Sequence, residues 1–200
     1  ADIEILSKKK LNKSEQKTLL LLKDFIKDAE RQIDQISRRV FKEETILSSE
    51  KVFSIFERHT EWIVKGKAGI TQELGVKVCI LKDQYGFILN HSVMEKLEDV
   101  EVAVPFVKET KNLYGNLTSC SFDKGFYSPQ NREKLNDILS SVIMPKKGKL
   151  NSFEQAIETS PEFISGKKKH SAVESAIAAL ENHGLDLCPD KKITGFKRYV

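Results

Sequence analysis

Two acids stand in blocks that could deliver a carboxylate to a reaction centre. Asp123 closes the run Leu117-Thr118-Ser119-Cys120-Ser121-Phe122 and precedes Lys124-Gly125-Phe126. Glu174 lies in His170-Ser171-Ala172-Val173-Glu174-Ser175-Ala176-Ile177, the pattern of an amphipathic helix. A strand-end aspartate and a helix glutamate can together hold a hard divalent cation such as Mg²⁺ through oxygen ligands. Strand ends in α/β sheets open onto crevices where ligands bind, and a glycine at 125 lets backbone pass close to a substrate. The plainer alternatives are an Asp-Lys-Gly surface turn and a boundary acid beside the stripe Val173, Ile177 and Leu180. Glu181, two turns on, is the competing acid on the face of Glu174.

Basic residues surround these blocks. They cluster at Lys8-Lys9-Lys10, Lys146-Lys147-Gly148-Lys149, Lys167-Lys168-Lys169-His170 and Lys197-Arg198, within a chain of net charge only +4. A single run of this kind is usually a solvated face. Two runs near the acids would instead supply phosphate contacts, so Lys146, Lys147, Lys149, Lys167, Lys168, Lys169 and His170 are the candidate DNA-binding residues. Other chemistries lack their residues: there is no Gly-x-Ser-x-Gly elbow, His-Glu-x-x-His or Cys-x-x-Cys. Cys79, Cys120 and Cys188 are odd in number and far apart, which points to a reducing, cytoplasmic setting. No apolar run approaches the roughly 20 residues of a membrane helix.

The elements that must position the acids follow from periodicity. Residues 14–44 predict one long helix with Ser14 as N-cap, and Leu22, Ile26, Ala29, Ile33, Ile36 and Val40 recur at spacings of four and three. That seam suits docking on a catalytic core, a helical hairpin or a dimer. Lys51–Phe56 alternates like a short strand that Trp62-Ile63 could continue, and Lys65–Gly69 reads as a loop. Gly75–Leu81 and Phe87–His91 predict an antiparallel hairpin around Asp83-Gln84-Tyr85-Gly86. A helix from Asp99 to Gly115 carries Val104, Val107 and Leu113, with Asp99 as its N-cap. Leu117–Phe122 reads as a strand, Ser128-Pro129 opens a helix with Leu135, Ile138 and Leu139 buried, and Val142–Met144 is a last strand. Helices near Ser152–Glu158 and ending at His183-Gly184 complete the pattern.

Taken together, the chain resembles a bacterial insertion-sequence transposase of the DDE type. The resemblance runs from about Phe53 to Val200. It rests on both acid blocks, on Phe56-Glu57-Arg58-His59-Thr60-Glu61-Trp62-Ile63, on Lys65–Gly69 and on Met144-Pro145-Lys146-Lys147-Gly148-Lys149, in that family's order. It implies an α/β fold: a ribonuclease H-like mixed sheet flanked by helices, behind a long N-terminal helix and lacking its first strand. The expected division is a helical segment over 1–50 and a truncated catalytic domain over 51–200. Asp123 and Glu174 would be the second and third acids of the trio, both catalytic and metal-binding. The first acid is expected upstream of Ala1, in a longer protein of which this chain is a fragment, inactive by itself. Some relatives carry Tyr-x2-Arg-x3-Glu-x6-Lys about the last acid; here Lys167, His170, Glu174 and Glu181 fill those places.

The resemblance further implies two Mg²⁺ (or Mn²⁺) ions about 4 Å apart in a complete site. They would serve strand cleavage and strand transfer on DNA at insertion-sequence ends. Its partners would be the element ends and target DNA, with a second copy in the synaptic complex and no membrane. Two other functions fit the same residues, a non-catalytic transposase-derived DNA-binding module and an interaction protein built on the helix over 14–44.

Overall fold

The computed structural model describes residue 5 and residues 10–64 and 72–200, the Ser48 side chain excepted. Lys65–Gly69 therefore lies outside the described residues. The chain is mixed α/β and divides into two compact units, residues 1–76 and 77–200.

The first unit is built on α1 (Lys13–Phe41). Its N-cap is Asn12 rather than Ser14: the Asn12 side chain accepts from the Glu15 amide at 2.9 Å, and Glu15 accepts from the Asn12 amide at 2.8 Å. This reciprocal box satisfies two of the amide donors that a helix start leaves open. After a short 3-10 turn (Ser48–Glu50), residues 51–56 do not form the expected strand. The Val52 amide donates to Gln35 Oε1 at 2.6 Å and its carbonyl accepts from Gln35 Nε2 at 3.3 Å, so a side chain takes the groups a ladder would need. The strand falls later, where β1 (Glu61–Val64) pairs antiparallel with β2 (Gln72–Gly75). Ile46 is the one buried apolar side chain of this unit among the described residues.

The second unit holds the core. β3 (Lys77–Lys82) and β4 (Ile88–Met94) make the expected hairpin. Asp83 fixes its turn by accepting from the amides of Tyr85 and Phe87 at 2.9 and 2.8 Å. α2 (Asp99–Leu113) follows, capped by Glu98 instead of Asp99. Pro105 lies in its second turn on the exposed face, where water can serve the carbonyl that the missing N–H leaves open. Of the apolar residues α2 carries, Val104 and Val107 are buried and Leu113 is exposed. β5 (Ser119–Ser121) and β6 (Ser141–Ile143) pair in parallel, joined through α3 (Pro129–Asn136), which begins at Ser128-Pro129 as its sequence dictates. Cys79, Leu81, Met94, Val104, Phe106, Val107, Phe122, Leu135 and Met144 pack as one cluster between strands and helices.

α4 (Ser152–Glu158), α5 (Pro161–Asn182) and α6 (Lys192–Tyr199) close the chain, making six helices of seven residues or more among the described residues. The ladders form three separate strand pairs among the described residues, where one mixed sheet was expected. Phe163 is the only buried side chain of α5. The stripe at Val173, Ile177 and Leu180 is thus half-exposed rather than core-facing, because α5 meets the strands through its first half. Among the described residues no helix is long and apolar enough to cross a membrane.

Candidate functional site

Asp123 follows the carboxyl end of β5, and Glu174 lies on the helix that meets the ends of both parallel strands. β5 ends at Ser121, and the Phe122 amide extends the pairing by donating to the Ile143 carbonyl at 2.9 Å. The chain then turns sharply. Asp123 is exposed and caps a 3-10 turn (Lys124–Phe126), accepting from the Lys124 amide at 2.7 Å through one carboxylate oxygen.

The turn is braced from behind by α2 and α3. Asn131, buried, donates to the carbonyls of Val100 (2.7 Å) and Phe126 (3.1 Å), tying both helices to it. Asp99 lies against Gly125: its carboxylate occupies the space where a Cβ on residue 125 would stand. A side chain at 125 would have to displace that carboxylate, and the neighbour is an acid rather than a substrate. The Lys77 ammonium pairs with that acid at 3.4 Å and with Glu98 at 3.2 Å. These two carboxylates hold the lysine above its ordinary pKa against the burial that opposes it. Asp99 is therefore half-buried, salt-bridged and set just behind the turn that bears Asp123.

α5 brings the second acid to this end of the unit. It crosses β6 where Gly166 meets Ile143, and a Cβ on residue 166 would come within 2.6 Å of Ile143 Cγ1. One turn on, His170 Nδ1 and Ser121 Oγ share a hydrogen bond at 3.0 Å. Beyond it, Lys82 Nζ donates to the Ala172 carbonyl at 3.3 Å, joining the end of β3 to the helix. Glu174 is the next residue on the face of His170, one turn further, and is exposed. Asp123 stands two residues beyond Ser121 and Glu174 four beyond His170, so each acid follows, in its own segment, one end of a single hydrogen-bonded contact.

The basic candidates separate into two groups. Lys146 is engaged internally: its ammonium binds both Glu154 oxygens at 2.8 and 2.6 Å, and its amide donates to Glu158 at 2.7 Å. Lys147, Lys149, Lys167, Lys168 and Lys169 are exposed. The donor chemistry at Asp123 and Glu174, all carboxylate oxygen, suits Mg²⁺ or Mn²⁺. Among the described residues, no three His, Cys, Asp or Glu side chains are grouped to hold a metal ion.

Sequence reasoning had no means to find Ser121, Gly166 or Lys82 as the contacts that seat the acid-bearing helix. Each is joined to its partner across 23 or more positions of chain. Asp99 carries a signal, an acid after a returning strand, that fits a helix cap equally well. Comparison with protein-family models, with curated proteins and with solved structures finds no match for the chain.

Proposed function

We propose that residues 77–200 form the ribonuclease H-like part of a DDE-type DNA transposase, with Asp123 and Glu174 as two of its three catalytic acids. One observation carries this. α5 meets the carboxyl ends of a parallel strand pair, pinned by His170 on Ser121, with Asp123 two residues beyond Ser121 and Glu174 one helical turn beyond His170. The order of elements supports it as well: antiparallel hairpin, helix, acid-bearing strand end, helix, parallel strand, acid-bearing helix.

In this function the chain's own groups divide the work. Exposed Lys147, Lys149 and Lys167–Lys169 hold backbone phosphates without reading sequence. Lys146 does not join them, because it is spent on Glu154. Asp123 and Glu174 would hold Mg²⁺ or Mn²⁺, which when bound supplies an activated oxygen nucleophile and stabilises the leaving 3′ oxygen of an in-line displacement. His170, bonded to Ser121, orients the helix and is a positioning residue.

Metal binding tests the proposal without requiring turnover. In the full chain, Mn²⁺ is expected to broaden the amide NMR signals of residues 121–126 and 172–176 together. Asp123→Asn and Glu174→Gln should each remove the broadening at both segments. Broadening that follows only one acid, or scatters over surface carboxylates, would overturn the shared site. A non-catalytic DNA-binding module is the second function, resting on the exposed Lys147, Lys149 and Lys167–Lys169 alone. It predicts duplex binding that is indifferent to Mn²⁺ and to Asp123→Asn.

A further inference from the structure

α1 uses one face within its own unit and leaves the opposite face open. The inward face is mainly polar, with Phe25 set edge-on against Phe56. Segment 44–58 runs back along the helix, antiparallel to it, through a series of side-chain contacts. Arg38 binds Glu44 at 2.7 Å and Glu50 at 3.1 Å, and Arg31 binds Glu50 at 2.8 Å. Gln35 brackets Val52, and Arg58 pairs with Asp28. The helix positions used are 28, 31, 35 and 38, spaced three, four and three apart, a single stripe.

The other stripe is apolar. Leu19, Leu22, Ile26, Ala29, Ile33, Ile36 and Val40 occupy successive a and d positions of three heptads and the start of a fourth, on the side opposite the segment. Ile33, Ile36 and Val40 are 64%, 55% and 63% exposed, and Leu22 and Ile26 are also exposed. A 29-residue helix in which no residue is buried lacks the packing that normally sustains helices. With Ile46 as its one buried apolar side chain among the described residues, the unit offers little core of its own.

We propose that this seam pairs with the same seam of a second copy as an antiparallel two-stranded coiled coil. Charge selects the occupant and the direction. The positions flanking the seam include Lys23 and Glu30, both exposed and without an ion-pair partner among the described residues. In an antiparallel pair that layers Ile26 on the partner's Ala29 and Leu22 on the partner's Ile33, Lys23 of each copy meets Glu30 of the other. The attraction then occurs twice, by symmetry. A parallel pair would set Lys23 against Thr18 and Glu30 against Phe25, with no charge complementarity. This inference does not depend on the transposase assignment.

The test is a charge-swap cycle on the full chain, read by sedimentation equilibrium with helicity checked by circular dichroism. Wild type should be a dimer, and Ile33→Asp a folded monomer. Lys23→Glu and Glu30→Lys should each weaken association about tenfold through two like-charge contacts, and the double variant should restore it. A wild-type monomer, with the seam covered from within its own chain, would overturn the proposal. So would an unchanged dimer in the single charge variants, the outcome expected of parallel pairing.

Discussion

Gly166 shows how a single residue can decide where a helix lies. It occupies the second turn of α5, where alanine would favour the helix by up to about 1 kcal/mol. Here the added methyl would sit 2.6 Å from Ile143 Cγ1, and overpacking of this kind costs about 1–3 kcal/mol. Gly166→Ala is therefore expected to lower stability despite its propensity gain, and Ile143→Ala in the same background to recover part of it, as denaturant unfolding would measure. Cys79 and Cys120 illustrate the converse, residues silenced by their surroundings. Burial pushes both thiols up to about 12, with the nearby charge of Asp99 and of Cys79 adding respectively. Their contribution to stability is complete below a thiol's ordinary pKa of about 8.5 and is lost as pH rises toward those values. At pH 8 a thiol reagent should titrate Cys188 rapidly and Cys79, the buried one, only on unfolding. Rapid reaction of all three would contradict the burial of Cys79.

At the scale of elements, local chemistry was legible and long-range pairing was not. Ser128-Pro129 and the Asp83–Gly86 turn fold as their residue types require, because cap and turn are decided within four positions. The supposed strand at 51–56 failed for a reason remote in sequence: Gln35, 17 positions away, claims the Val52 backbone. Likewise nothing in the spelling of α5 shows that His170 meets Ser121, 49 positions earlier, so the acid pair was legible as residue types and not as a site. α4 allows a test at this scale. Glu154 caps the helix start, accepting from the Asn151 amide at 2.9 Å while binding Lys146. The Lys146 ammonium, then that amide, hold its carboxyl below the usual range. A depressed carboxylate stabilises above its unfolded pKa of about 4.3, and that benefit fades as pH falls through the folded value. Glu154→Gln should thus lower the thermal midpoint at pH 7, and the gap to wild type should close below about pH 4.

Across the whole molecule, the two units differ in what stabilises them. Residues 77–200 enclose a cluster that includes fully buried Leu135, and such a unit unfolds as one cooperative step. Residues 1–76 rest on α1 and its polar stripe of contacts, and on pairing if the seam is shared between copies. Calorimetry of the full chain should then give two transitions, of which the one from the first unit moves upward with protein concentration while the other stays fixed. A single transition independent of concentration would count against both the division and the pairing.

The seating of α5 has a mechanical consequence. A helix is a stiff rod, and two of its contacts act as bearings, Gly166 on Ile143 and His170 on Ser121, about 6 Å apart along the axis. Glu174 overhangs the second bearing by about the same length. Play of about 0.5 Å at the His170 bearing therefore swings the Glu174 backbone by about 1 Å, a displacement that matters to any group required to meet another at fixed distance. Lys82, gripping the Ala172 carbonyl between bearing and overhang, is the stay that limits this swing.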